Sequence, residues 1–272
     1  MTSTLTVEPP QQSKSRSVSK NSSVSSICTE NSVENGYLSG LQERLLAECA
    51  GLTKDRDWEQ AVVLEIGCGC GDSTHQLVER LSPLLISGVL GIDTDQAAID
   101  YAFSIHADEK TDFAVANVED LNTFELKWGG RFDWVFSSHA LLFVKDQPKA
   151  LRNLMWCLRP GGRCFIAVPA AKPADLHHVA VKVLQSSSWK KYFEVLKTKQ
   201  LEFKYKFASK AEYKEFLENM FAKPIQLVPE YHKPTFVREL TKVALKKMKK
   251  NKDGSYTWAV NYVLVLARRP EL

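Results

Sequence analysis

Leu64-Glu65-Ile66-Gly67-Cys68-Gly69-Cys70-Gly71-Asp72 decides the fold. The run in front of it, Ala61-Val62-Val63-Leu64-Glu65-Ile66, is rich in β-branched residues and almost wholly apolar, the pattern of a strand buried on both faces. Behind it, Ser73–Leu81 has helical spacing. Glycines at alternating positions between strand and helix permit a sharp turn and leave bare main chain for a ligand to lie against. Such a loop, ending a strand and opening a helix, commonly holds a nucleotide-like ligand.

Two features separate the possible ligands. The glycine spacing departs from G-x-G-x-x-G, because Gly69 is followed by Cys70, Gly71 and Asp72. No lysine follows the glycines, so the phosphate loop is absent as well. Glu65 stands close in front of the loop, where a carboxylate would repel a pyrophosphate and suit a cationic ligand. S-adenosylmethionine carries an ammonium and a sulfonium and no phosphate. The second feature is Asp93, which ends the next apolar run, Val89-Leu90-Gly91-Ile92-Asp93. An acid at that strand tip can accept hydrogen bonds from vicinal ribose hydroxyls. The same residue could instead cap the helix expected over Thr94–His106, as could Thr94 or Asp95.

Outward from the loop, apolar runs and helical patterns alternate. Further strands are expected at Ser87–Ile92, Asp112–Ala116, Phe132–Ser138 and Arg163–Pro169. A helix over Phe143–Leu158 stops at Arg159-Pro160-Gly161-Gly162. This β-α-β-α order implies an α/β fold with a parallel, doubly wound sheet. Later, helices are expected over Ala174–Leu196, Lys210–Met220 and Phe236–Lys250, and strands over Pro224–Glu230 and Tyr256–Ala267. Residues 1–36 are serine-rich and poor in large apolar side chains, and are expected to be a disordered leader preceding one domain over 37–272.

Composition narrows the function classes. A 272-residue chain with 44% hydrophobic residues can bury a sizeable core. A net charge of +4 does not call for a nucleic-acid partner, and the lysines of 242–252 lack the interleaved aromatics of a nucleic-acid surface. No apolar run is long enough to cross a bilayer, and the cysteines read as reduced core thiols, which together place the chain in the cytoplasm. Cys68-x-Cys70 has too short a spacer for a zinc pair, so no metal is expected.

The ordered series E-I-G-C-G-x-G, G-I-D, F-D-x-V and L-R-P-G-G, spanning Ala61 to Pro169, resembles the class I S-adenosylmethionine-dependent methyltransferases. That resemblance implies a Rossmann-like sheet of seven strands whose last strand, Tyr256–Ala267, is antiparallel and has Pro224–Glu230 as its neighbour. It implies S-adenosylmethionine as cofactor. Glu65, Gly67, Cys68, Gly69 and Gly71 would serve its methionine end, Asp93 its ribose, and Thr94, Asn117, Val118 and Glu119 its adenine. Ser138 would stand on the cofactor-facing rim.

The segment Ser137–Gln147, with Ser39-Gly40-Leu41-Gln42, resembles the small-molecule carboxylate methyltransferases, the juvenile hormone acid and trans-aconitate enzymes among them. In those, a glutamine and a tryptophan bind the substrate carboxylate. Gln42 matches the glutamine, whereas Phe143 stands at the tryptophan position and has no indole N–H. The resemblance implies methyl transfer to a small molecule at oxygen, of a carboxylate or a hydroxyl, with Gln42, His139, Phe143 and Trp189 around the acceptor. Transfer to a small amine is the alternative; that chemistry usually needs a base, for which His139, His177 and His178 are candidates. From a different class, a non-catalytic cofactor-binding regulator is the rival. Residues 171–207, rich in aromatics, are expected to form a helical lid over the acceptor.

Overall fold

The computed structural model describes residues 33–52, 59–81, 86–170, 194–221, 225 and 227–271. Helix α1 (Val33–Leu52) leads into β1 (Val62–Ile66), α2 (Asp72–Leu81), β2 (Gly88–Asp93), α3 (Gln96–His106) and β3 (Thr111–Val115). After a π-helical turn (Asn122–Lys127) come β4 (Phe132–Ser138), a 3-10 turn (Ala140–Phe143), α4 (Gln147–Cys157) and β5 (Leu158–Ala170). The chain closes with β6 (Glu194–Phe207), α5 (Lys210–Met220), α6 (Lys233–Leu245), the two-residue β7 (Lys249–Lys250) and β8 (Tyr256–Arg268).

The strands form one sheet in the order β3-β2-β1-β4-β5-β8-β6, with β7 added on β8. Strands β1 to β5 run parallel, and β8 is antiparallel to both β5 and β6. The Rossmann-like parallel sheet and its antiparallel last strand are therefore as expected. Strand order reverses between β1 and β4. In open α/β sheets the crevice at the carboxyl ends of the strands beside such a switch point is where ligands bind.

Both faces of the sheet are covered. On one, Leu41 and Leu45 of α1 and Leu77 of α2 pack on Val63, Trp134, Phe136 and Phe165, and the same cluster continues to Phe207, Tyr213 and Phe216. On the other, Phe124, Trp128, Leu154 and Met155 cover Leu64, Ile66 and Val135. Double coverage is why β1 reads as an unbroken apolar run rather than an alternating one.

The second half departs from expectation. Residues 194–207, assigned to the end of a lid and partly to a helix, are strand β6, paired along β8 from Glu194↔Arg268 to Phe207↔Tyr256. Leu201, Phe203, Tyr205 and Phe207 face the core while Glu202, Lys204 and Lys206 are exposed, the period-two pattern of a half-buried edge strand. The described part of Pro224–Glu230 is helical at Ile225 and turn or bend at 227–228 rather than strand, with Pro229 preceding the 3-10 turn Glu230–His232. β6, not that segment, is the neighbour of the last strand. Helix α6 stops at Leu245 and the expected helical end, Lys249-Lys250, pairs with Thr257 and Tyr256. Most of the leader, the rest of the lid with His177 and His178, and Trp189 lie outside the described residues. Cys49, Cys68, Cys157 and Cys164 are buried free thiols, whereas Cys70 is disulfide-bonded, which corrects the expectation of reduced thiols throughout.

Candidate active site

The glycine loop is knitted to the tip of β2. The amides of Gly67 and Cys68 both donate to the Ile92 carbonyl, at 2.7 and 3.0 Å, and the Gly69 amide donates to Asp93 Oδ2 at 3.1 Å. Gly67, Gly69 and Gly71 all adopt positive φ, at 75°, 53° and 90°. At Gly67 the absence of a side chain is also a packing requirement: a Cβ there would stand 2.3 Å from Ala140 Cβ. At Gly69 a Cβ would meet nothing within 4 Å, so this stretch of main chain borders open space.

Asp93 is not the cap of α3. Asp95 holds that role, its Oδ1 accepting from the amides of Ala97 and Ala98. Asp93 is half-buried, with Oδ2 on the Gly69 amide and Oδ1 on the Asp95 amide at 3.0 Å. Each carboxylate oxygen retains acceptor capacity for a further donor. Thr94 beside it is exposed.

Glu65 sits behind the loop. It is 1% exposed, and its Oε2 accepts from the Thr74 hydroxyl at 2.5 Å. Burial pushes its carboxyl up to about 7, against the lowering effect of the hydroxyls of Thr74 and Ser73. Thr74 carried no signal in the sequence, since a threonine in the first turn of a helix is ordinary. Cys68 is buried against Ile99, Ala102 and Phe113, so its contribution to the loop is main chain and packing.

Beyond β3, Asn117 is exposed and its Oδ1 accepts from the Glu119 amide, closing its own turn. The Val118 side chain is buried in the core, and its carbonyl accepts from Asn153 of α4 at 2.8 Å. Glu119 Oε1 accepts from the Asp146 amide at 3.0 Å, joining this turn to the one before α4.

The tip of β4 gathers the remaining polar groups. The Ser138 hydroxyl donates to Gln42 Oε1 at 2.9 Å. Gln42 is 4% exposed, and its buried Nε2 has no partner among the described residues. The Ser137 hydroxyl, wholly buried, also lacks a partner among the described residues. His139 turns the chain with φ 72°, a conformation sparsely populated outside glycine. Its ring shares a short hydrogen bond between Nε2 and the Tyr262 hydroxyl. Burial pushes the imidazole down to about 4, partly offset by a hydrogen bond with the Ser138 backbone, so the ring is neutral near pH 7. Phe143 stands apart, 78% exposed at the end of the 3-10 turn, and offers no enclosed wall.

Most of the residues singled out in the sequence therefore converge on the carboxyl ends of β1 to β4. Thr74, Asn153 and Tyr262 join them unannounced. The donor set fits an adenosyl sulfonium amino acid. Asp93 suits a diol, the field of Glu65 suits a cation, and the bare main chain at Gly69 leaves room. Orphaned buried donors such as Gln42 Nε2 are costly unless a ligand uses them. Among the described residues no group of three or more His, Cys, Asp or Glu could hold a metal ion.

A family model described as a methyltransferase domain matches residues 64–164, the span from mid β1 into β5. Over that span the chain is similar to methyltransferase domains. It is 29% identical over 128 residues to juvenile hormone acid O-methyltransferase of Bombyx mori, covering 47% of this chain and 45% of that one. It is 33% identical over 110 residues to trans-aconitate 2-methyltransferase of Deinococcus radiodurans, covering 40% and 38%. A third relative, phosphoethanolamine N-methyltransferase 1 of Triticum aestivum, is 29% identical over 107 residues, covering 39% and 20%. The alignments thus span less than half the length of these relatives. Among solved structures, the cyclase SpnF superposes with a TM-score of 0.56 at 16% identity over 89% of this chain and 86% of that one. A Bacillus halodurans C-125 protein designated a methyltransferase gives 0.52 at 14% identity over 84% and 98%. These likenesses establish the fold of the methyltransferase domain. That a cyclase shares it shows why the reaction must be argued from the site.

Proposed function

We propose that the protein transfers a methyl group from S-adenosylmethionine to the carboxylate oxygen of a small molecule. Gly67, Cys68 and Gly69 would hold the cofactor's amino-acid end with their main chain, Asp93 its ribose hydroxyls, and Asn117 to Glu119 the adenine edge. When bound, that cofactor supplies an electrophilic methyl on a sulfonium. The chain's own residues bind and orient, because in-line displacement depends mainly on placing the two reactants correctly.

The observation that carries the choice of acceptor is the buried, unpartnered Nε2 of Gln42 at the tip of β4. An amide N–H₂ can only donate, so its natural ligand is an acceptor oxygen. Ser138 donates to Oε1, which leaves Nε2 as the end of the amide without a partner among the described residues. The neutral His139 agrees with this. A carboxylate is already ionised near pH 7 and needs no base, whereas an ammonium must lose a proton first. An imidazole pushed down to about 4 is a weak base for that task. Two of the relatives above are named for acid substrates, which supports the same reading.

Amine methylation is the second reading, favoured by the hydrogen bond that joins His139 to Tyr262 and by the N-methyltransferase relative. Incubation with methyl-labelled S-adenosylmethionine and a metabolite extract, split into acid and amine fractions, separates the two. With S-adenosylmethionine saturating at every pH, label in methyl esters, at a rate flat between pH 6 and 8, is expected. Label only in amines, with a rate that rises with pH, would overturn the carboxylate reading. Cofactor binding without turnover would make the chain a regulator instead.

No helix among the described residues is long and apolar enough to cross a membrane. We propose an enzyme whose partner is the small acceptor, with neither nucleic acid nor membrane involved; the disulfide at Cys70 argues against the cytoplasmic placement, which rested on reduced thiols.

A further inference from the structure

Tyr262 belongs to the last strand, 123 residues from His139 in sequence. It is 3% exposed and faces the same side of the sheet as Leu264 and Leu266, the side covered by α1. Its ring meets those of His139 and Phe203 edge to face, with centroids 5.2 and 5.0 Å away. Tyr205 of β6 reaches the Tyr262 hydroxyl from the neighbouring strand, so the phenol sits between an imidazole and a second phenol. Buried polar groups that satisfy one another in this way rigidify their surroundings.

His139 is held from its backbone as well. Its amide donates to the Ala167 carbonyl at 3.0 Å, and its carbonyl accepts from the Leu142 amide at 2.9 Å. A non-glycine residue at positive φ persists only where its surroundings over-determine it, and such residues cluster at functional sites. Here the main chain is pinned on both sides and the ring is pinned by Tyr262. The neighbouring residue, Ser138, orients Gln42. One dipeptide at the tip of β4 thus links α1 to β8.

We infer that Tyr262 is a positioning residue for the methyl acceptor. Its hydroxyl fixes the orientation and tautomer of His139, and through the Ser138-His139 turn it fixes the polar end that would receive the acceptor. This rests on the acceptor site proposed above. Tyr262 itself touches no reacting atom. Among the described residues, the titratable groups packed on His139 are Tyr262 and, beyond it, Tyr205; their phenols are both pushed up by burial and stay neutral. The ring therefore sees a dipole rather than a charge.

Ring nitrogen-15 spectra of the full-length protein, assigned with His139→Gln, test the tether directly. In the wild type one neutral tautomer should persist from pH 5 to 8, with protonation only near 4. In Tyr262→Phe the single tautomer should be lost and the midpoint should rise by at least one unit as the ring gains access to water. A wild-type ring that titrates near the ordinary 6.5, or a Phe variant with an unchanged titration, would overturn the inference. Kinetics with trans-aconitate and with a long-chain fatty acid as probes supply the second arm. Tyr262→Phe and His139→Gln should each lower kcat/KM for the acceptor about tenfold, leave KM for S-adenosylmethionine unchanged, and show no further loss when combined. Losses that multiply to about a hundredfold would mean that Tyr262 does not act through His139. If the wild type methylates neither probe, the acceptor reading for these acids fails, while the ring spectra still decide whether the tether exists.

Discussion

Ser138 and Gln42, 96 residues apart, are joined by a 2.9 Å hydrogen bond that spends one end of the glutamine amide and leaves the other buried and unused. Evolution could have placed an apolar side chain at this spot on α1, whose neighbours Leu41, Leu45 and Leu46 are all buried. A polar group kept where it destabilises is a mark of function.

Gln42→Leu should therefore separate stability from activity. Removing an unsatisfied buried donor relieves about 1–3 kcal/mol of desolvation cost, which offsets the loss of the acceptor for the Ser138 hydroxyl, so thermal unfolding should stay about level. Acceptor kcat/KM should fall about 10–100-fold, as for loss of one hydrogen bond to a charged group. The affinity for S-adenosylhomocysteine, read by calorimetry, should not change. A drop in both melting temperature and cofactor affinity would make Gln42 a structural residue.

Asp93 serves the loop and the ligand at once, and its variants should show it. Its Oδ2 accepts from the Gly69 amide, and Asp95 carries the helix cap. Asp93→Ala should weaken cofactor binding about 10–100-fold while the helix remains. Asp95→Ala should do the reverse, costing roughly 1 kcal/mol of stability with little effect on binding. Calorimetric titration and thermal melts of both variants give four numbers. Equal binding losses in the two would remove the ribose assignment.

How much of this was legible in the sequence depends on how local each signal is. The glycine loop, Asp93 and the turn after β3 are local, because each is a strand end followed at once by its turn, and the chain carries them in order. Gln42 was legible only through resemblance. β6 was misread although Leu201, Phe203, Tyr205 and Phe207 alternate with polar residues, since its aromatics also suit a lid. Nothing local could disclose Tyr262. Its neighbours Asn261 and Val263 give a plain strand, and its meeting with His139 exists only once β8 lies beside β5. Thr74 and Asn153 were silent for the same reason: their partners lie 9 and 35 residues away, across a fold.

Gly67 and Gly69 offer a paired test of the loop. Both have positive φ, but only Gly67 lacks room, with Ala140 2.3 Å from where a Cβ would stand. Gly67→Ala combines left-handed strain with overpacking and should cost roughly 2–4 kcal/mol, displace the start of the 3-10 turn and abolish cofactor binding. Gly69→Ala carries strain alone, about 1 kcal/mol, and should fold nearly as well as the wild type. Its binding should still weaken, because the methyl would project into space that a ligand needs. Indistinguishable melts for the two variants would contradict the packing of Gly67 on Ala140.

Glu65 and His139 should pull the pH dependence of stability in opposite directions. Glu65 has its folded pKa raised from 4.5 to about 7 by burial, so the folded state holds a proton that the unfolded chain has released. Its stabilising contribution is complete below about 4.5 and is lost as pH rises toward 7. His139 has its folded pKa lowered from 6.5 to about 4, so between those values the unfolded chain binds the extra proton and stability rises with pH. In the wild type the two trends largely cancel between pH 4.5 and 6.5. Glu65→Gln should expose the rising limb and His139→Gln the falling one, read by denaturant unfolding at a series of pH values. Cofactor binding adds a third, separable signal. A cationic ligand favours the ionised carboxylate, so wild-type affinity should climb as pH rises through about 7. In Glu65→Gln it should be flat over the same range. A wild-type affinity that does not vary there would show that Glu65 serves the loop alone and contributes no field to the bound cation.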